Sequence, residues 1–236
     1  MKILLNYADG KFLESQFKNS QSGLAAGFNV VYQMNRSEIS PAFIEQNSEI
    51  LSQKRGAGYW LWKAYFLNRI LNSMGDDDIL FYADSGSVFV RRMDGIFKTV
   101  TEDAKGIIGF ALAGGHLEKH YTKRDLMIHM DMNTAEYRDT PQRMASFMCF
   151  RRTPESIGVV SEYLQLACTP HLVRDAPNAD GWIEPGFVDN RHDQSIWSLL
   201  TKKHGITILP DPTQWGLHHK ETTEAEVFIN HTRDPR

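Results

Sequence analysis

Five consecutive apolar residues, Ile79-Leu80-Phe81-Tyr82-Ala83, run without interruption into Asp84-Ser85-Gly86. A run this short and continuous reads as a strand buried on both faces, which requires a sheet with helices packed above and below it. The rest of the chain supplies both kinds of element. Hydrophobic patterning predicts strands over 2–6, 28–32, 78–83, 107–112, 145–150 and 206–209. It predicts helices over 12–26, 41–51, 58–74, 122–131, Pro154–Ala167 and Asp193–Lys203. Gly27, Gly75 and Gly205 stand as helix stops, and Pro154 occupies a first turn. Phe12, Phe17 and Leu24 give the first helix a mixed spacing, whereas Phe43, Ile44 and Ile50 give the second an inward face. Strands alternating with helices specify an α/β fold, here one domain over 1–236 with a mostly parallel central sheet flanked by helices. Sheets of this kind bind ligands at the carboxyl ends of their strands. Residues 170–192 hold Pro170, Pro177 and Pro185 without periodicity and read as a loop over the site, and the tail from 210 reads as irregular except for a short strand over 227–229.

Charge and cysteine content narrow the function. Lys and Arg number 26 against 29 Asp and Glu, a net charge of −3, which gives no reason to expect non-specific nucleic-acid binding, since that needs a basic face. Cys149 and Cys168 lack a CxxC spacing, the N-terminus is too short in apolar length for a signal peptide, and no stretch approaches the roughly 18 apolar residues of a membrane span. These features predict a cytoplasmic protein without a disulfide framework or transmembrane segment.

Four constellations carry chemistry. Asp84 follows its strand and so lies at the ligand edge, either as an Asx-turn residue or as an oxygen ligand for a hard divalent cation. The triple acid Asp76-Asp77-Asp78 precedes the same strand and belongs to the opposite edge. The run Arg55-Gly56-Ala57-Gly58-Tyr59-Trp60-Leu61-Trp62-Lys63 is a glycine-loosened helix entry carrying two cations. Lys63 shares a helical stripe with Leu67, Ile70 and Met74, so its stem is inward and its ammonium requires a partner or a ligand. Trp60 and Trp62 are either core or stacking platforms, and Arg55 either covers a ligand or faces solvent. Asp189-Asn190-Arg191-His192-Asp193-Gln194 opens a late helix; Asp193 is either a first-turn acid or a group that orients or deprotonates an acceptor hydroxyl. In the tail, His218-His219 and His231 are candidate metal ligands.

Together, Arg55 to Lys63, Tyr82-Ala83-Asp84-Ser85-Gly86 and Arg191-His192-Asp193-Gln194-Ser195-Ile196 give a sequence that resembles the small GT-A-fold glycosyltransferases, among them the glycosyltransferase domain of the chlorovirus protein that glycosylates the capsid. The resemblance covers roughly residues 2–209. It implies a nucleotide-diphosphate-sugar donor (a UDP-sugar in the first instance), Mn²⁺ or Mg²⁺, a saccharide acceptor, and transfer of a hexosyl or deoxyhexosyl group. In its terms Asp84 and His231 are the metal ligands, and Asp193 and His192 are the catalytic residues. Tyr7, Ala8 and Asp9 contact the nucleotide, and Arg55, Tyr59, Trp60, Lys63, Ser85, Gly86, Arg191 and Gln194 complete the substrate site. The family's second strand-end acid is missing, since Gly86 stands in its place. That departure leaves an alternative open, a non-catalytic nucleotide-sugar or saccharide-binding protein of the same fold.

Overall fold

The computed structural model describes residues 1–218 and 226–232. A six-stranded sheet runs through its centre in the order β2-β1-β3-β6-β5-β7. The strands are β1 (Lys2–Tyr7), β2 (Val30–Met34), β3 (Ile79–Ala83), β5 (Ile107–Ala111), β6 (Arg143–Arg151) and β7 (Thr207–Leu209), with β4 (Ser87–Phe89) outside this sheet. β1 pairs in parallel with β2 and β3, β5 pairs in parallel with β7, and β6 runs antiparallel to both of its neighbours. Tyr82 faces Leu5 on one side and Met148 on the other, which fixes the register at the centre.

Alternation along β3 divides the core in two, as the period of a strand requires. Leu80 and Tyr82 join Ile3, Leu5, Phe66, Leu67, Ile70, Tyr163 and Trp197 on one face. Ile79, Phe81 and Ala83 join Leu4, Phe28, Phe97, Phe110 and Phe147 on the other. The helices Leu61–Ser73, Pro154–Ala167 and Asp193–Lys203 cover the first face. Helix Asp94–Glu102, which hydrophobic patterning does not single out, helps cover the second with Ile96, Phe97 and Val100.

Several sequence expectations need correction. The first helix, Leu13–Ala26, turns Gln16, Asn19, Ser20 and Gly23 inward and leaves Phe17 and Leu24 exposed, as is Phe12 just before it. The reason is polar: Asn19 accepts from the Asn6 amide at 2.8 Å and donates to the Ser87 carbonyl at 2.9 Å, so this face holds β1 to β4 by hydrogen bonds. The stretch 41–51 divides at Asn47 into Pro41–Gln46 and Ser48–Leu51. The helix expected over 58–74 begins only at Leu61. The second strand starts at Val30, which leaves Phe28 free to pack in the core.

The tail is less irregular than its composition suggests. It forms a short helix, Gln214–His218, and a strand β8 (Ile229–His231) that pairs antiparallel with β4, Ser87 facing His231. Thr232 then donates to the Gly86 carbonyl at 2.9 Å, so the segment just after β8 returns to the turn after β3. His219 lies outside the described residues. Among those described, no helix is long and apolar enough to cross a membrane.

Candidate active site

At the carboxyl end of β3 the backbone of Asp84 is fixed from two sides. Its N–H donates to the Ser146 carbonyl at 2.9 Å, and its own carbonyl accepts from the Ser87 hydroxyl at 2.7 Å. Its side chain is 38 % exposed, and Oδ1 accepts from the Tyr82 hydroxyl at 2.5 Å. Asp76, Asp77 and Asp78 sit at the other end of the strand, paired with Arg152, Arg151 and the N-terminal ammonium respectively.

Lys63 lies in the first turn of its helix and is buried. Its ammonium donates to Asp193 Oδ2 at 2.5 Å and to the Ala145 carbonyl at 3.0 Å, and stands 3.6 Å from Asp84 Oδ1. It also rests over the Tyr82 ring, 4.7 Å from the centroid. Burial pulls its pKa down, but the Asp193 and Asp84 carboxylates more than offset this, so Lys63 remains a cation. Asp193 starts the helix Asp193–Lys203, where the helix dipole favours an acid, and it turns to Lys63 instead of capping. Burial first, then the nearby charge of Asp84, hold it above the usual carboxylate range against the pull of Lys63. One buried cation thus joins two carboxylates supplied by a strand end and a helix start.

The entry to the Lys63 helix is a left-handed turn. Gly56, Ala57, Gly58, Tyr59 and Trp60 have φ of 59°, 51°, 102°, 50° and 60°. Left-handed backbone costs about 1–2 kcal/mol for each residue with a Cβ, so Ala57, Tyr59 and Trp60 must be held there by contacts. The Trp62 indole N–H donates to the Gly56 carbonyl at 2.9 Å, and the Tyr59 ring stacks on His192, 4.6 Å between centroids and 11° between planes. His192 itself has φ 48° and ψ −110°, and its Nδ1 lies 2.6 Å from the Val173 carbonyl. Burial lowers its pKa, so the ring is neutral at pH 7 with Nδ1–H donating to that carbonyl. Strain of this kind persists where surrounding structure over-determines it, commonly at functional sites.

The loop after the short helix Pro170–Val173 closes over this entry. Arg55 bridges two of its carboxylates, with Nη1 3.2 Å from both oxygens of Asp175 and Nη2 on Asp189 Oδ2. His192 Nε2 also faces Asp175 at 3.4 Å.

Nine of the predicted site residues line a single cleft of about 920 Å³: Arg55, Trp60, Lys63, Asp84, Arg191, His192, Asp193, Gln194 and His231. Tyr7, Ala8, Asp9, Tyr59, Ser85 and Gly86 are not among its lining residues. They lie beside it, where the Ser85 hydroxyl donates to the Tyr7 carbonyl and ties the ends of β1 and β3 together. The Tyr7 ring stacks on Trp62 at 3.8 Å and its hydroxyl donates to Asp9. Ala8 N–H donates to the Met34 carbonyl at 3.0 Å. His116, Gln142, Asp211 and Trp215 were not among the residues expected at the site. Gln142 accepts from the Gln194 amide at 2.9 Å and donates to the Thr122 hydroxyl at 2.8 Å, so it anchors the start of the late helix. None of these four sits in a recognisable motif, whereas Tyr82, inside the run that ends at Gly86, joins the site through its hydroxyl on Asp84.

No protein-family model matches the chain, and no curated protein matches its sequence. Among solved structures, the fold is similar to that of mouse xyloside xylosyltransferase 1 in its apo form, with a TM-score of 0.52 and 12% identity over 98% of this chain and 96% of that one. It is also similar to the apo form of the glycosyltransferase GlyE of Streptococcus pneumoniae TIGR4, with a TM-score of 0.50 and 13% identity over 99% of this chain and 55% of that one. At these identities the likeness establishes the fold: the chain has the GT-A-like α/β architecture of these neighbours.

Proposed function

We propose that the chain is a glycosyltransferase that moves a sugar, hexosyl or deoxyhexosyl, from a nucleotide-diphosphate-sugar, in the first instance a UDP-sugar, to a saccharide acceptor. The observation that carries this reading is the Lys63 ammonium placed between Asp84 and Asp193 in a cleft at the carboxyl edge of a GT-A-like sheet. The motif likeness to the chlorovirus glycosyltransferase domain points the same way.

The charge of the cleft bears on the cofactor. Its lining holds four carboxylates, Asp84, Asp189, Asp193 and Asp211, against three cations, Arg55, Lys63 and Arg191. Lys63 and Arg55 are already engaged by carboxylates, so an anionic diphosphate meets a lining with no surplus of positive charge. A divalent cation would correct that balance. Among the described residues no three His, Cys, Asp or Glu side chains gather into a metal set. Asp84 and His231, which line the same cleft, are the residues that would hold Mn²⁺ or Mg²⁺, and a set this small would need donor oxygens to complete it. When bound there, the ion supplies charge stabilisation to the departing nucleoside diphosphate.

The chain's own residues do the rest. Lys63 holds Asp193 and Asp84 in a fixed relation and limits their repulsion. Tyr82 fixes the Asp84 rotamer through its hydroxyl. Asp193, with a raised pKa, is placed either to take a proton from the acceptor hydroxyl or to orient the transferred sugar, and the anomeric configuration of the product separates the two. Arg55, which lines the cleft, would have to exchange Asp175 and Asp189 for donor phosphate. Gly86 in place of the second acid is what favours the other reading, a binding protein without turnover.

Calorimetry of the full chain against UDP-, GDP- and dTDP-sugars, with Mn²⁺ and then with EDTA, tests the donor class. The proposal expects tight, metal-dependent binding of one nucleotide series. A folded protein that binds none of them overturns it.

A further inference from the structure

Beyond Asp84 the cleft continues towards β5, and a tryptophan stands there on a rigid mount. Trp215 lines the cleft and is 47 % exposed. Its backbone N–H donates to the Thr213 hydroxyl at 3.2 Å. The neighbouring Gln214 amide exchanges two hydrogen bonds with the His231 backbone, each 3.0 Å. Asp211, 1 % exposed, accepts from the Thr213 N–H at 2.9 Å and from the Ala113 N–H at 3.4 Å, which ties the helix to the end of β5. The support is fixed by three separate attachments, while Trp215 itself remains about half exposed. An aromatic ring costs free energy when left in water, and a rigid exposed one inside a polar cleft is characteristic of a ligand platform.

Its surroundings suit one class of ligand. The Arg191 guanidinium lies over the Tyr121 ring at 4.0 Å, and His116 meets the same ring edge-on at 4.9 Å and 88°. Both line the cleft with Trp215 and Gln194. A flat apolar ring that shares a cleft with hydrogen-bonding side chains matches a pyranose, which has a C–H face and an edge of hydroxyls. Position assigns the role. Adjacent strands lie about 4.8 Å apart, so β5 is about 10 Å from β3 on the side away from β1, where Tyr7 and Asp9 lie.

We propose that Trp215 forms the wall of a saccharide subsite that receives the acceptor's sugar ring, so that the acceptor is a carbohydrate and not a peptide hydroxyl. The acceptor role rests on the glycosyltransferase reading; the subsite itself does not, and the test separates them. In ¹⁵N-labelled full-length protein the five tryptophan indole N–H signals are followed by NMR, with Trp215 assigned through Trp215→Phe. Lactose, maltose, cellobiose and a Ser/Thr peptide are titrated with and without UDP and Mn²⁺. The expected result is a saturable shift of the Trp215 signal with at least one disaccharide, no movement of the buried Trp197, and affinity about tenfold weaker in Trp215→Ala. If UDP binds but no disaccharide moves Trp215, the subsite is wrong and the donor reading survives. If a disaccharide binds and no nucleotide does, the subsite stands and the donor reading falls. A shift caused by the peptide alone, or by nothing tested, overturns the subsite.

Discussion

Lys63 Nζ stands 2.5 Å from Asp193 Oδ2 and 3.6 Å from Asp84 Oδ1, with both its own side chain and that of Asp193 shielded from solvent. A buried Lys63–Asp193 pair is an expensive arrangement, because removing one partner leaves the other uncompensated. It stands at the carboxyl edge of the sheet, where α/β folds bind their ligands.

Lys63→Met should therefore destabilise the protein by about 3 kcal/mol or more, read by urea unfolding. Lys63→Met combined with Asp193→Leu removes both buried charges and should recover much of that stability, while turnover stays lost. Full activity in Lys63→Met would remove the triad from the mechanism.

The missing second acid can be restored. A Cβ built on Gly86 meets nothing within 4 Å, and its φ is not left-handed, so Gly86→Asp should fold normally. It should tighten Mn²⁺ binding in the presence of UDP by about tenfold, since a second carboxylate adds a hard oxygen ligand. Calorimetry that finds unchanged or weaker metal affinity would count against a metal at Asp84.

The left-handed turn makes opposite demands of neighbouring residues. At Gly58, with φ 102°, a Cβ would lie 2.8 Å from the Leu51 Cα, so Gly58→Ala should cost about 2 kcal/mol or more. Ala57, at φ 51°, is the reverse case, and Ala57→Gly should stabilise by up to about 1 kcal/mol. Thermal unfolding of both variants checks the pair, and shifts of the same sign would contradict the turn.

Asp103 gives a pH signature. Burial raises its pKa, but the Thr207 hydroxyl at 2.6 Å and the N–H groups of Lys105 and Ile107 at 3.0 and 3.2 Å outweigh it, so the folded value lies below the ordinary 3.8. A depressed carboxylate contributes stability above its unfolded pKa and loses it as pH falls through the folded one. Asp103→Asn should lower Tm at pH 7, with the difference from wild type shrinking below about pH 3.8. An equal difference at both pH values would mean the charge plays no part.

The sheet was legible in the sequence because its central strands are short apolar runs, and Asp84 could be placed because direction along β3 separates it from Asp76, Asp77 and Asp78. The inward stem of Lys63 followed from its helical stripe. What escaped the sequence was set by distant partners. Nothing local says that Ser87 will pair with His231, or that Arg55 will bridge Asp175 and Asp189. Propensity reads Tyr59 and Trp60 as helical, whereas stacking on His192 and the Trp62 bond to Gly56 hold them left-handed. The inward face of Leu13–Ala26 was misjudged because Asn19 is buried for its hydrogen bonds, which a search for apolar stripes passes over.

We propose above that the Asp84–Lys63–Asp193 centre carries out glycosyl transfer. It is tested most directly by measuring UDP released from UDP-sugars, and sugar gained by an oligosaccharide acceptor, with Mn²⁺ present, in wild type and in Asp193→Ala. Release and transfer should match in the wild type, and fall about a hundredfold or more in the variant with UDP affinity nearly intact. No transfer from any donor by folded wild type, or turnover undiminished in the variant, would contradict it.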